Sequence, residues 1–163
     1  MNEIDDDTER RLRALSKRFV EGIAEVWQDV LKRWGISEPT VVLNECIERG
    51  EWFKGIVLST AFFEGVGRKI LENDLKGKIK PERLNNLGLE LIIMFLYALG
   101  KIDQTTYCKM MEIKGFRNDI VHLEPFTEQE IQPEKAKKII EKAIGCIEHL
   151  IRKFDETERN TSQ

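Results

Sequence analysis

The spacing of apolar residues predicts helices along the whole chain. From Thr8 to Trp34, apolar side chains recur every three or four residues, which is the pattern of one long amphipathic helix. Its apolar positions are Leu12, Leu15, Phe19, Ile23, Val26, Val30 and Trp34. No segment alternates apolar and polar residues as a half-buried strand does. The sequence therefore predicts an all-α fold, a helical bundle of about five to six helices.

Prolines and glycines predict where the other helices begin and end. Pro39 opens a short helix that closes near Gly50, and a longer helix follows from Glu51 to Asp74. The segment from Lys76 to Arg83 is predicted to be a turn. Three further helices are predicted: Leu84 to Leu99, expected to be the most buried; a helix capped by Asp103 that ends near His122; and a last helix that starts at Pro133.

Length and composition favour one domain. The 163 residues are enough to bury a core, and we expect a single helical domain at 8–155 between disordered ends at 1–7 and 156–163. The acidic start lacks the apolar core of an export signal. The apolar run from Leu91 to Leu99 is about half of the roughly 20 residues that cross a bilayer. We therefore expect a cytoplasmic protein without membrane contact.

The overall charge excludes a general attraction to polyanions. The formal net charge is −3, so any RNA contact must come from a local patch. The basic turn, formed by Lys76, Lys78, Lys80 and Arg83, is such a patch. A run of this kind is more often only a solvated loop, and both interpretations stay open.

Neither the cysteines nor the histidines form a metal-binding pattern. Cys46, Cys108 and Cys146 lack paired or metal-ligand spacing, which favours buried thiols in a reducing compartment. The two histidines lie on different predicted helices, and no carboxylates cluster with them. We therefore expect neither a metal nor a cofactor.

The segment Arg117-Asn118-Asp119-Ile120-Val121-His122 carries the strongest chemical signal. On a helix, Arg117 falls in the middle of an apolar arc. Burying an unpaired charge costs several kcal/mol, so the guanidinium needs a carboxylate partner or an anion bound in a cleft. Asn118 lies one turn before His122 and can orient its imidazole.

The two histidines have different expected roles. His122 lies at a helix end before a proline-containing loop, where an imidazole that titrates near neutrality can exchange protons with a substrate. The alternative is a helix C-cap, which the helix dipole favours. His149 lies opposite the apolar side of the last helix and is expected to point into solvent.

Glu64 is a second ionisable residue within an apolar stripe. One hypothesis is that Glu64 pairs with Arg117 across the core and positions the guanidinium for a phosphate. The alternatives are a purely structural pair between the same residues, or a local pair with Arg68 four residues later.

The motif from Arg117 to His122 resembles the Arg-x4-6-His motif of the HEPN family, whose members are small all-helical domains. It has a polar residue directly after the arginine and lies at the end of the penultimate long helix. The pattern from Cys46 to Glu64 is similar to the family's passage from a short helix to one with an inward carboxylate. The similarity covers roughly Pro39 to Phe154. Some toxins of the family have a modifiable tyrosine two residues after the histidine, where this chain has Glu124.

The resemblance implies a metal-independent endoribonuclease, of toxin or defence type, that cleaves RNA between the motif helices of a homodimer. By that analogy Arg117 contacts the scissile phosphate, His122 moves protons and Asn118 orients the imidazole of His122. Glu64 and Asp119 are the supporting residues. An antitoxin is a possible partner. A symmetric dimer also supplies the two proton-transfer groups that this cleavage needs.

Two other functions stay open from the sequence. A non-catalytic module could bind a nucleotide or RNA, or only dimerise. In an interaction or scaffold protein, the motif would be no more than a helix cap and a core ion pair.

Overall fold

The computed structural model describes residues 39–122 and 131–162, and all regular structure in these ranges is helical. This confirms the all-α class. The predicted helix from Thr8 to Trp34 and the acidic start lie outside the described residues, so the predicted domain limits stay a prediction. The helices are α1 (Pro39–Arg49), α2 (Trp52–Asp74), α3 (Pro81–Asn85), α4 (Leu89–Ala98), α5 (Gln104–His122) and α6 (Pro133–Thr161).

Helix α2 is the centre of the bundle. It packs against α1, α4, α5 and α6, and its residues from Gly55 to Phe63 are all buried. A helix surrounded in this way is apolar on nearly every side, and the sequence of α2 is of this kind. The prediction that the segment from Leu84 to Leu99 forms the most buried helix is therefore wrong.

Helix α4 lies at the edge of the bundle. It begins at Leu89 rather than Leu84, and its inner side buries Leu89, Ile92, Ile93 and Leu96 against α2 and α5. The opposite side is also apolar but faces outward. The exposed residues are Leu91 (47%), Met94 (46%), Phe95 (37%), Tyr97 (43%) and Leu99 (38%). Periodicity could not reveal this exposure, because both sides of α4 are apolar.

Local signals place most helix ends where the sequence predicts them. The Asp103 carboxylate accepts a 2.7 Å hydrogen bond from the Thr106 backbone N–H, which caps α5 and lowers the pKa of Asp103. Gly50 and Gly100, after α1 and α4, have φ of 67° and 69°, a left-handed conformation that glycine adopts without strain. The predicted turn is shorter than expected, because Pro81 already begins α3.

Helix α6 extends into the segment predicted to be disordered. Residues 156–161 are helical, and α6 ends only at Thr161. The side chains of this last part form contacts within the helix, such as the 3.2 Å ion pair from Lys153 to Glu156. Residues spaced three apart on a helix meet in this way without tertiary packing, so a polar helix end can continue beyond the core.

The three cysteines do not share one environment. Cys46 and Cys146 are buried, as predicted, whereas Cys108 is exposed. Burial raises the pKa of Cys146 to about 11, so its thiol stays protonated at neutral pH. The expectation of a buried thiol is wrong for Cys108.

Close packing of α2 and α4 requires Gly67. A Cβ at this position would lie 2.7 Å from Ile92 Cγ2 and 3.1 Å from Leu96 Cδ1. We expect Gly67→Ala to lower the free energy of unfolding by about 1–3 kcal/mol, because α4 must move away from α2. Urea unfolding monitored by circular dichroism measures the change.

The matched control is Gly145→Ala in α6, where an added Cβ meets nothing within 4 Å. We expect this change to stabilise the protein by about 0.5–1 kcal/mol, since alanine favours the helix. Equal effects of the two substitutions would contradict the packing explanation.

Candidate functional site

Helix α5 has the apolar arc that the sequence predicts. Met110, Ile113 and Ile120 are buried, while Phe116 and Val121 are half-buried and pack against the core. Arg117 lies within this arc and is itself half-buried. Its guanidinium is therefore held among apolar side chains rather than extended into solvent.

The Arg117 side chain is a partly desolvated cation. Its Nε is enclosed and has no hydrogen-bond partner in the described part of the chain. Burial lowers the pKa of Arg117, and the negative charge of Glu64 opposes this shift. Because an arginine stays protonated in proteins, the lowered pKa reflects the cost of keeping a positive charge here.

Glu64 on α2 bonds to its neighbour on the same helix. Its Oε1 accepts a 2.8 Å hydrogen bond from Arg68 Nη2, and the two side chains are 27% and 12% exposed, respectively. Among the described residues, no ion pair within 4.0 Å joins Glu64 to Arg117. Of the alternatives, the structure has the local pair at i,i+4 spacing. Glu64 acts on Arg117 only through its charge.

Arg68 is half-buried, like Arg117. Its Nη2 also donates to the Leu87 carbonyl oxygen at 3.2 Å, but its Nε has no partner within the described ranges. Two guanidinium groups thus share one carboxylate, which leaves one positive charge over. We call Glu64, Arg68 and Arg117 the arginine cluster. Helical spacing identifies Arg68 only as a possible partner of Glu64, and its place in the site follows from the fold alone.

A cluster of this composition can bind an anion. Its surplus positive charge lies in a partly desolvated setting, where electrostatic interactions are stronger than in water. Guanidinium groups have the donor geometry that phosphate oxygens accept. The arginine cluster is therefore suited to a phosphate group.

The remaining motif residues continue along α5. Asn118 is half-buried, Asp119 is exposed, and His122 is the last residue of α5. The prediction that Asn118 orients the imidazole of His122 concerns a side chain outside the described part of the structure, so it stays a prediction.

The second histidine is less exposed than the sequence predicts. His149 is half-buried, and its Nε2 lies 3.3 Å from the Lys101 carbonyl oxygen, to which it can donate. The reason is that this part of α6 packs beside the loop after α4, which helical periodicity alone does not reveal. His149 thus contacts the backbone rather than only solvent.

The four cations of the basic turn are all exposed. Lys78, Lys80 and Arg83 line an open groove of about 450 Å³ with an apolar floor. The floor consists of Ile79, Leu84, Leu87 and Phe95. The sequence shows the cations but not the groove, because Phe95 comes from α4 and reaches the turn only through the fold.

Leu87 connects the groove with the arginine cluster. Its side chain lines the groove, and its carbonyl oxygen accepts the hydrogen bond from Arg68. Three residues after Leu87, Glu90 at the start of α4 pairs with Lys114 on α5. The groove and the arginine cluster therefore meet at Leu87.

Two kinds of feature are absent from the residues that the structure describes. Within 39–122 and 131–162, no three His, Cys, Asp or Glu side chains are grouped as metal ligands. None of the six helices is both long and apolar enough to cross a membrane.

Comparison with known proteins adds no assignment. No protein-family model, no curated protein and no solved structure matches this chain. What the site does must therefore be argued from its own chemistry.

The stability of the arginine cluster can be tested by substituting Glu64. We expect Glu64→Gln to lower the free energy of unfolding by about 1–3 kcal/mol, because two partly buried guanidinium groups lose their shared negative charge. Equilibrium unfolding in urea measures this difference.

The control is Glu72→Gln on the same helix, where the carboxylate pairs with the exposed Lys69 at 3.3 Å. A surface pair of this kind contributes about 0–1 kcal/mol, so the control should be nearly neutral. If both variants lost the same stability, Glu64 would have no special electrostatic role.

Proposed function

We propose that this protein is a HEPN-like, metal-independent endoribonuclease that works as a homodimer. The observation that carries the proposal is Arg117, a partly desolvated guanidinium with an enclosed Nε, on the helix that ends at His122. A half-buried arginine that has no ion-pair partner among the described residues can bind an anion. In the motif from Arg117 to His122, the histidine is the proposed proton-transfer group.

The proposed reaction is attack of a ribose 2′-OH on the adjacent phosphorus. A base removes the hydroxyl proton while an acid protonates the departing 5′ oxygen, so the products are a 2′,3′-cyclic phosphate and a free 5′-OH. His122 is the proton-transfer residue, since an imidazole titrates near neutral pH. Arg117 stabilises the charge on the phosphate oxygens, and Asn118 orients the imidazole. Because His122 cannot be base and acid at once, the second protomer supplies the other imidazole.

The surface around the cluster supports an RNA substrate. Lys78, Lys80 and Arg83 form a cationic rim over an apolar floor that includes Phe95. Cations of this kind bind the phosphate backbone, and an exposed aromatic ring offers a face on which a base can stack. Leu87 joins this groove to Arg68, so the cationic rim meets the arginine cluster at this residue.

A second candidate function is binding of RNA or a nucleotide without turnover, or dimerisation alone. The surplus charge of the arginine cluster and the cationic groove favour binding, because both can hold an anion without a proton-transfer group. A cytoplasmic toxin or defence nuclease with an antitoxin partner is the biological setting that the motif's resemblance suggests, and it depends on the nuclease proposal.

Cleavage of single-stranded RNA by the full chain in EDTA tests the proposal. We expect 2′,3′-cyclic phosphate ends to accumulate over many turnovers. His122→Ala and Arg117→Ala should each lower the cleavage rate by about 100-fold or more, since each removes a group that acts in the transition state.

The controls use the same residue types elsewhere. His149→Ala replaces the histidine near Lys101, and Arg152→Ala replaces an exposed arginine of α6. Both should keep cleavage close to that of the parent. If RNA bound but stayed intact, the binding module would be correct instead. If Arg117→Ala only destabilised the fold and no RNA bound, the motif would be structural.

A further inference from the structure

The outer face of α4 is an apolar surface with no cover among the described residues. It consists of Leu91, Met94, Phe95, Ala98 and Leu99, all of which are exposed. Single exposed apolar residues are common on proteins, but a contiguous apolar helix face indicates an interaction surface. The inner side of α4 already packs on α2 and α5, so α4 is apolar on two opposite sides.

This face continues into the cationic groove. Phe95 belongs to both, since it is part of the outer face and also of the groove's floor. The groove's rim carries Lys78, Lys80 and Arg83, and none of them forms an ion pair with a carboxylate of residues 39–122 or 131–162. Between Lys76 and Arg83 the chain has four cations and only one acidic residue, Glu82. The whole surface thus has an apolar part and a positively charged end.

The first 34 residues of the chain combine a short acidic start with a predicted amphipathic helix that carries both acidic and basic residues. Their apolar positions from Leu12 to Trp34 recur at helical spacing, so the predicted helix has an apolar stripe that needs a partner surface. Before this helix the chain is acidic. The acidic residues are Glu3, Asp5, Asp6 and Asp7, with Ile4 among them. Negative charges around an apolar residue match a groove with a cationic rim and an apolar floor.

We propose that residues 1–34 dock on the same protomer, with the stripe on the outer face of α4 and the acidic start at the groove. Connection favours this occupant, because a tethered segment has a high effective concentration at a surface within its reach. The segment joins α1 at Pro39, and α1 packs on α2, as α4 does. A helix from Thr8 to Trp34 is about 40 Å long, whereas the face from Leu91 to Leu99 spans only about 12 Å. Part of the predicted helix is therefore enough to cover this face.

Docking has a consequence for the site, which rests on the proposed function. The carboxylates of residues 3–7 would occupy Lys78, Lys80 and Arg83, the cations that are proposed to hold RNA. The amino-terminal segment then competes with RNA for the groove. The docking itself does not depend on RNA cleavage and is tested without RNA.

Thiol labelling of the full chain tests the docking. The probe is Met94→Cys in a Cys108→Ser background, because Cys108 is exposed whereas Cys46 and Cys146 are buried. Mass spectrometry follows the reaction with a small maleimide. We expect labelling at least about tenfold slower than in urea, and the same rate at every protein concentration, because a cover in the same protomer opens only transiently.

Two matched substitutions identify the cover. Phe19→Asp places a charge on the apolar stripe, and Gln28→Asp places the same charge on the opposite side of the predicted helix. Phe19→Asp should increase the labelling rate about tenfold, whereas Gln28→Asp should leave it unchanged. Labelling of the buried Cys46 reports whether a variant has unfolded as a whole.

A milder variant keeps the test decisive if Phe19→Asp unfolds the chain. Replacing Asp5, Asp6 and Asp7 by asparagine removes charge without touching an apolar position. We expect about threefold faster labelling of the probe, and we expect 1 M NaCl to accelerate the parent but not this variant.

Three results would overturn the proposal. Labelling of the probe as fast as in urea would mean that nothing covers α4. Protection that neither Phe19→Asp nor the asparagine variant relieves would mean that another part of the chain is the cover. Protection that disappears on dilution would assign the face to a second copy of the protein.

Discussion

The single carboxylate of Glu64 compensates the charges of two partly buried guanidinium groups. The positive charge of the site results from this lack of a second carboxylate. Arg68 binds Glu64 directly at 2.8 Å, whereas Arg117 feels its charge only at longer range and has an enclosed Nε without a partner in the described ranges. A one-to-one ion pair would have no net charge. Two arginines that share one carboxylate instead leave a net positive charge in a partly buried site. Water screens this charge less than it would at the surface, so a bound anion is stabilised.

The fold fixes this arrangement through α2. Glu64 and Arg68 lie on the helix that is packed from several sides, and Gly67 between them lets α4 approach closely. The same approach brings the Leu87 carbonyl within reach of Arg68 and sets Phe95 beside the basic turn. The packing of one helix pair thus determines both the enclosed cluster and the open groove.

Local patterns predicted the helices well, because they depend on signals within a few residues. Pro39, Gly50, Asp103 and Pro133 each mark a helix end where the structure has one. The apolar arc around Arg117 was also readable, since helical periodicity alone determines which residues share a side.

Features that depend on tertiary packing were not readable. Both sides of α4 are apolar, so the sequence could not tell which side is inside, or that the helix lies at the edge of the bundle. The partner of Glu64 was open for a similar reason: Arg68 and Arg117 both suit a carboxylate, and only the distance between α2 and α5 decides between them. His149 was misplaced because its backbone contact comes from an element far away in the chain. Cys108 lies nine residues before Arg117 and therefore on the opposite side of α5, so its exposure follows from helical periodicity.

A double-mutant cycle between Glu64 and Arg117 measures whether the buried arginine depends on the carboxylate of α2. The free energies of unfolding of Glu64→Gln, Arg117→Met and the double variant give the coupling between the two charges. If both guanidinium groups depend on Glu64, we expect a favourable coupling of roughly 0.5–2 kcal/mol without a direct hydrogen bond, decreasing as salt is added. Additive effects of the two substitutions would show that Arg117 does not depend on Glu64, and the shared-carboxylate account would be wrong.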